Sequence, residues 1–298
     1  MLINATKTLT QLKQIMNNTM KTLTLITALL FSLNVSAHER FILPSHTVLS
    51  GDKTQSVSHV ASISNAIFHG DRPLGNNDKG IETKNLSMLF KRLHTVVIGP
   101  DGTSSKLSWQ AFSRFSVADM QVEQSGTYRI AIVQPNTPMT TFKKSDGSFG
   151  RFFGDKGVVP EKATNVVRRT TASRVESYVS FNEPNRVALK PTGQGLELTG
   201  ESHPNDLFTN ELIRFQLHFQ GEPLNEVTEV KLVQGATRHR NQRDEQIIKT
   251  DAQGRFSLTI KQAGFYLLSA NVDVEGQTGS GIDIHHYGLY ATLEVFPQ

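Results

Sequence analysis

Apolar residues recur at every second position over much of the chain after residue 40. The run Ile213-Arg214-Phe215-Gln216-Leu217-His218-Phe219-Gln220 alternates strictly. Phe256, Leu258 and Ile260 alternate with Ser257 and Thr259, and Ala291, Leu293 and Val295 with Thr292 and Glu294. A period of two marks a strand with one buried face and one wet face. Glu222-Pro223, Asp251-Ala252-Gln253-Gly254 and Gln262-Ala263-Gly264 separate these strands with the backbone choices that tight turns need. In the first half the alternation is weaker. Residues 57–63, 95–98 and 127–133 read as strands, and Pro100-Asp101-Gly102 as a turn. The pattern leaves room for short helices only, around 107–114 and 161–175.

The two halves echo each other. Gln124-Ser125-Gly126-Thr127-Tyr128-Arg129-Ile130 resembles Gln262-Ala263-Gly264-Phe265-Tyr266-Leu267-Leu268, each a Gly-led turn feeding a strand with an early Tyr. The expected fold is all-β: two immunoglobulin-like β-sandwich domains after a signal peptide. The expected division is 1–37 for an N-terminal extension and signal peptide, 38–190 for the first sandwich with a long loop-rich excursion, and 191–298 for the second. The boundary region, about 140–195, holds Phe149-Gly150-Arg151-Phe152-Phe153-Gly154, Arg168-Arg169 and Lys190-Pro191-Thr192-Gly193. Residues 173–181 read as a strand returning to the first domain. The aromatic run 142–153 reads as inter-domain packing, with an exposed patch for a ligand or partner as the alternative.

Met20-Lys21, an apolar run over 23–35 and the small residues of Val35-Ser36-Ala37 have the form of a secretory signal peptide. Residues 1–19 are polar, so Met20 competes with Met1 as the start. The apolar run is short for a bilayer, which needs about 20 residues. No second run exists, so no stable membrane span is expected after processing. Cutting after Ala37 removes Lys7, Lys13 and Lys21 from 31 basic side chains and none of the 27 acidic ones, leaving a net charge of +1. That balance gives no basis for nucleic-acid binding. The chain has no cysteine, hence no disulfide, thiolate ligand or cysteine nucleophile. Export without cysteine points to a bacterial periplasm.

Several segments carry a family resemblance. They are Leu198-Thr199-Gly200-Glu201-Ser202-His203-Pro204-Asn205-Asp206-Leu207-Phe208, Gly221-Glu222-Pro223-Leu224, Gly235-Ala236-Thr237-Arg238-His239-Arg240 and the closing Tyr290-Ala291-Thr292-Leu293-Glu294-Val295. With Ala37-His38-Glu39 and Phe68-His69-Gly70-Asp71, the chain resembles a bacterial periplasmic family of unknown function, often labelled nickel- or cobalt-uptake-associated. The turn Asp251-Ala252-Gln253-Gly254-Arg255-Phe256 also resembles carboxypeptidase-regulatory-type sandwiches, which implies a binding or spacer module rather than an enzyme.

The sharpest chemistry lies at His38. If the cut follows Ala37, this residue offers a metal both its α-amine and its ring, and nitrogen ligands suit nickel and copper. His59, His69 and Asp71 are candidate partners in the same half. Asp283 precedes the densest pair, His285-His286, of which only one can join a given site because neighbours on a strand face opposite ways. His203 reads as structural, His218 as a surface residue, and His239 as disfavoured by its basic loop. No Gly-x-Ser-x-Gly elbow, His-Glu-x-x-His helix or phosphate-cradling loop is present. The expected function is a periplasmic transition-metal-binding protein (Ni, Co or Cu) linked to nickel or cobalt uptake or metal homeostasis. Its partners are then the metal ion and a metal-uptake transporter or TonB-dependent receptor. The alternatives are a copper oxidoreductase with an N-terminal histidine brace, and a metal-free adaptor of an outer-membrane receptor or transporter.

Overall fold

The computed structural model describes residues 38–298 apart from 76–78, 81–91, 155 and 236–242. The signal-peptide segment, the competing starts and His239 lie outside the described residues. The first half contains β1 (Glu39–Pro44), β2 (Val48–Leu49), β3 (Gln55–Ser64), β4 (Arg72–Pro73), β5 (Lys79–Gly80), β6 (His94–Ile98), β7 (Ser104–Ser105), β8 (Gln110–Ala111) and β9 (Ser116–Val122). Next come β10 (Gly126–Lys143), β11 (Phe149–Phe153) and β12 (Thr164–Phe181). The second half contains β13 (Leu196–Gly200), β14 (Leu212–Phe219), β15 (Glu222–Pro223), β16 (Glu229–Gln234), β17 (Gln246–Lys249), β18 (Arg255–Thr259), β19 (Gly264–Glu275) and β20 (Ile284–Val295). The protein is thus all-β. Among the described residues no helix is long and apolar enough to cross a membrane.

A ten-stranded sheet runs β17-β16-β19-β20-β12-β10-β6-β7, with β11 on β10 and β2 on β12. A six-stranded sheet (β1-β3-β9-β8-β5, with β4 on β3) covers one end of it. A four-stranded sheet (β13-β14-β15, with β18 on β14) covers the other. Ile42, Val57, Ala118, Ile130, Ile132 and Val175 belong to the first core. Leu198, Phe215, Leu217, Leu268, Leu289 and Leu293 belong to the second. Each buried Val, Leu, Ile or Phe among them contributes about 1.5–3 kcal/mol.

The centre of the large sheet is β12, paired antiparallel with β10 along its length and parallel with β20 over Arg169–Glu176. Val175, Val179 and Phe181 face the first core while Tyr178 faces the second. Residues 173–181 are buried without a break between two cores, which removes the alternation that marks a half-exposed strand. The helix expected around 161–175 is therefore a strand, built on the β-branched run Thr164, Val166, Val167, Thr170 and Thr171. The helix expected around 107–114 is an irregular segment holding β8. The boundary expected at 190 falls after a single 3₁₀ turn, Val187–Leu189, between β12 and β13.

The echo between the halves has a physical basis. Gly126 (φ 132°) and Gly264 (φ 134°) open β10 and β19 in a conformation that favours glycine. Tyr128 and Tyr266 then donate their hydroxyls to the carbonyls of Gln124 (3.2 Å) and Gln262 (2.7 Å). This is the tyrosine corner of immunoglobulin-type sandwiches, built twice.

Four charged side chains from β10, β12 and β13 are buried together in the interior. Arg129, Arg174, Glu176 and Glu197 are each at most 3 % exposed. Arg129 stands 3.7 Å from Glu176 and 3.6 Å from Glu197. Arg174 hydrogen-bonds Glu176 and lies 3.7 Å from Glu197. Two positive and two negative groups balance, which is what keeps buried ions tolerable.

Candidate functional site

The position of His38 is set by β1. The register pairs Glu39 with Ser64, so the exposed His38 lies beside the turn that leaves β3. That turn, 64–71, carries His69 and Asp71. Two interactions fix the Asp71 carboxylate: the Asn65 N–H donates to it at 3.2 Å and the Ser64 hydroxyl at 2.9 Å. These donors hold its pKa below the ordinary carboxylate value, and the charges of Arg114 (3.9 Å away) and His38 add to the effect. His38 therefore lies within electrostatic reach of a carboxylate that is already held in place.

The turn is clamped on two sides. Phe68 has φ 61°, a left-handed conformation that is strained for a bulky residue. Its ring is held edge-on by Phe41 (5.3 Å) and Phe265 (6.2 Å). Gly235 lies so close that a Cβ there would stand 2.7 Å from the Phe68 ring. On the other side Gly70 meets Phe115, where a Cβ would come to 2.2 Å. Strain at Phe68 is thus offset by packing that involves both halves of the chain. His69 follows directly, its N–H donating to the Ala66 carbonyl at 3.0 Å.

Behind this site β1 is tied to the large sheet. Arg40 donates to Gln134 at 2.8 Å and to the Ser173 hydroxyl, joining β1 to β10 and β12. Phe41 is fully buried in a small core with Ile67, Val233 and Leu267. Burial raises the pKa of Glu39, against the opposing charges of Arg243 at 3.4 Å and Lys231.

The remaining sequence candidates sit elsewhere. His59 pairs with Pro44 in the β1–β3 register, about 17 Å along the strand from the Glu39 level at ~3.4 Å per residue. It is fully buried, and neither ring nitrogen has a well-aligned hydrogen bond. His285 and His286 take opposite directions: His285 shares a 2.7 Å hydrogen bond with Thr170, and His286 pairs with Asp273 at 2.6 Å. His203 shares hydrogen bonds with the Thr127 hydroxyl (3.0 Å) and the Asn185 carbonyl (3.1 Å), a structural role. Among the described residues no three His, Asp or Glu side chains are grouped closely enough to hold a metal ion. Sequence reasoning missed Ser64, Asn65 and Arg114, and named Phe68 only as part of a motif. Gly70 within Phe68-His69-Gly70-Asp71 was the only local hint of a constrained turn.

The model of one family, described as a domain of unknown function (DUF4198), matches residues 35–273. No curated protein matches the sequence. Among solved structures, a DUF4785 family protein from Legionella pneumophila is 7% identical with a TM-score of 0.23, over 80% of this chain and 53% of that one. This chain therefore spans about half the length of the Legionella protein. A DUF3823 family protein from Bacteroides uniformis is 12% identical with a TM-score of 0.22, over 88% of this chain and 100% of that one.

Proposed function

The chain belongs to the DUF4198 family, whose function is unknown, and from that premise we propose that it is an exported, periplasmic protein that binds a divalent transition metal at His38. The observation that carries this reading is His38, next to the 64–71 turn in the β1–β3 register, within electrostatic reach of the pre-held carboxylate of Asp71. Two side chains do not make a metal site. Cleavage after Ala37 would add a third donor, because the new α-amine and the His38 ring bind one metal as a single chelate. Two nitrogens and one carboxylate suit nickel, cobalt or copper, and the resemblance to nickel- and cobalt-associated proteins favours the first two. His69, on the same clamped turn, is the candidate for a fourth donor, which it could supply only by rearranging. Such a protein would serve metal uptake or homeostasis, passing its cargo to a transporter or TonB-dependent receptor.

Binding should tighten as the amine and imidazole lose their protons with rising pH. Calorimetric titration with Ni, Co and Cu provides the test. Protein beginning at His38 should bind one of them near stoichiometrically. Protein with Gly-Ser added before His38 should lose that binding, and Asp71→Asn should weaken it. Silence with all three metals overturns the proposal, and so does unchanged binding by the extended chain.

A further inference from the structure

β11 (Phe149–Phe153) lies at an edge of the large sheet, paired with β10 only. Its ladder is anchored at both ends: Lys144 N–H donates to Ser148 at 2.9 Å, and Gly154 N–H to Pro138 at 2.7 Å. In an antiparallel pair the backbone groups point alternately toward and away from the partner. Gly150 and Phe152 therefore bond inward to β10. Phe149, Arg151 and Phe153 turn their N–H and C=O groups outward, where no described strand meets them. The same three residues share one face of the sheet. Phe149 and Phe153 are 66 % and 53 % exposed, and the Arg151 guanidinium lies 5.9 Å from the centroid of the Phe153 ring. The other face is closed. Phe142 is buried there and packs on Phe152 at 6.1 Å, and Gly157 covers Phe152 so closely that a Cβ would stand 2.1 Å from the ring.

Charge narrows the occupant. Residues 137–171 carry Lys143, Lys144, Arg151, Lys156, Lys162, Arg168 and Arg169 against Asp146, Asp155 and Glu161. This arm is strongly basic within a nearly neutral mature chain. Two copies would bring like-charged arms together. A lipid surface would leave the outward backbone groups unpaired.

We propose that β11 is a docking strand for an extended acidic peptide segment of a partner protein, which adds to the sheet edge with an acidic side chain opposite Arg151 and apolar ones opposite Phe149 and Phe153. Main-chain hydrogen bonds would supply affinity and the alternating face specificity. This surface is independent of the proposed metal site.

The probe is a fluorescent peptide, Asp-Val-Thr-Glu-Thr-Val-Asp, titrated against the chain from His38 to Gln298. Saturable binding is expected, at least tenfold weaker when the central backbone nitrogens are methylated, when Glu is replaced by Lys, or when the protein carries Arg151→Glu. Arg151 is exposed, and an unchanged thermal midpoint verifies that the variant is folded. Four outcomes overturn the proposal: no binding, equal affinity for the methylated peptide, self-association that the peptide does not displace, or capture by phosphatidylglycerol vesicles that the peptide does not compete.

Discussion

His59 faces the first core with no well-aligned hydrogen bond to either ring nitrogen, and burial pushes its pKa from the ordinary 6.5 down to about 4. The Val57 backbone and the Asp119 charge oppose this shift only partly. Between those two pH values the unfolded chain binds a proton that the folded chain refuses. Stability therefore falls as pH falls through this window, by about 2–3 kcal/mol at pH 4.5 for a shift of this size. His59→Leu should remove the loss. Urea unfolding at pH 7 and pH 4.5 should show the wild type losing about 2–3 kcal/mol more than the variant; equal losses would refute this account of His59. The residue also shows what a sequence hides. His59, Arg129 and Glu176 all stand in strand patterns where a polar residue reads as wet, and all three are buried. His38, His69 and Asp71 were legible because they flank a cut site or lie in a Gly-containing turn. The donors that fix Asp71 were not, because a Ser and a backbone N–H carry no signature of their own.

Single elements decide how rigid the site and the interior are. The 64–71 turn is only as fixed as the packing around Phe68. Gly235→Ala should push the Phe68 ring and release the turn. A roughly tenfold loss of metal affinity is expected, as for lost support behind a ligand, read by the titration described above; full affinity would show that the clamp does not hold the site. Strand β13 carries the opposite case. Glu197 accepts from the Thr192 N–H at 2.9 Å, the Thr192 hydroxyl at 2.7 Å and the Gly193 N–H at 3.0 Å while facing Arg129 and Arg174. Glu197→Gln leaves two buried guanidiniums with one carboxylate, and about 3–5 kcal/mol of stability should be lost. The surface pair Arg214–Glu201 is a control: it spans 3.8 Å with side chains 54% and 80% exposed, so Glu201→Gln should cost less than about 1 kcal/mol. Chemical denaturation of both variants separates the two cases, and a Glu197→Gln protein as stable as wild type would contradict the buried network.

At the scale of the whole molecule, residues His38–Gln298 form one compact unit, although the strand pattern reads as two sandwiches. Both patterns are present, since each half has its own core and its own tyrosine corner. What joins them is the parallel pairing of Arg169–Glu176 with Ile284–Ala291. Such pairing links segments more than a hundred residues apart and leaves no local trace in composition or period. It makes the halves dependent on each other. A fragment of residues 191–298 would keep β13–β20 but expose the edge of β20 along eight residues, lose Tyr178 from its core and leave Glu197 without Arg129 and Arg174. An exposed, unpaired strand edge of that length favours aggregation over folding. The intact chain should accordingly melt in a single calorimetric transition whose van't Hoff and calorimetric enthalpies agree. The fragment should lack the dispersed amide NMR spectrum of a folded β protein. Two resolved transitions together with a well-dispersed fragment would mean that the shared sheet joins the halves in space without coupling their folding.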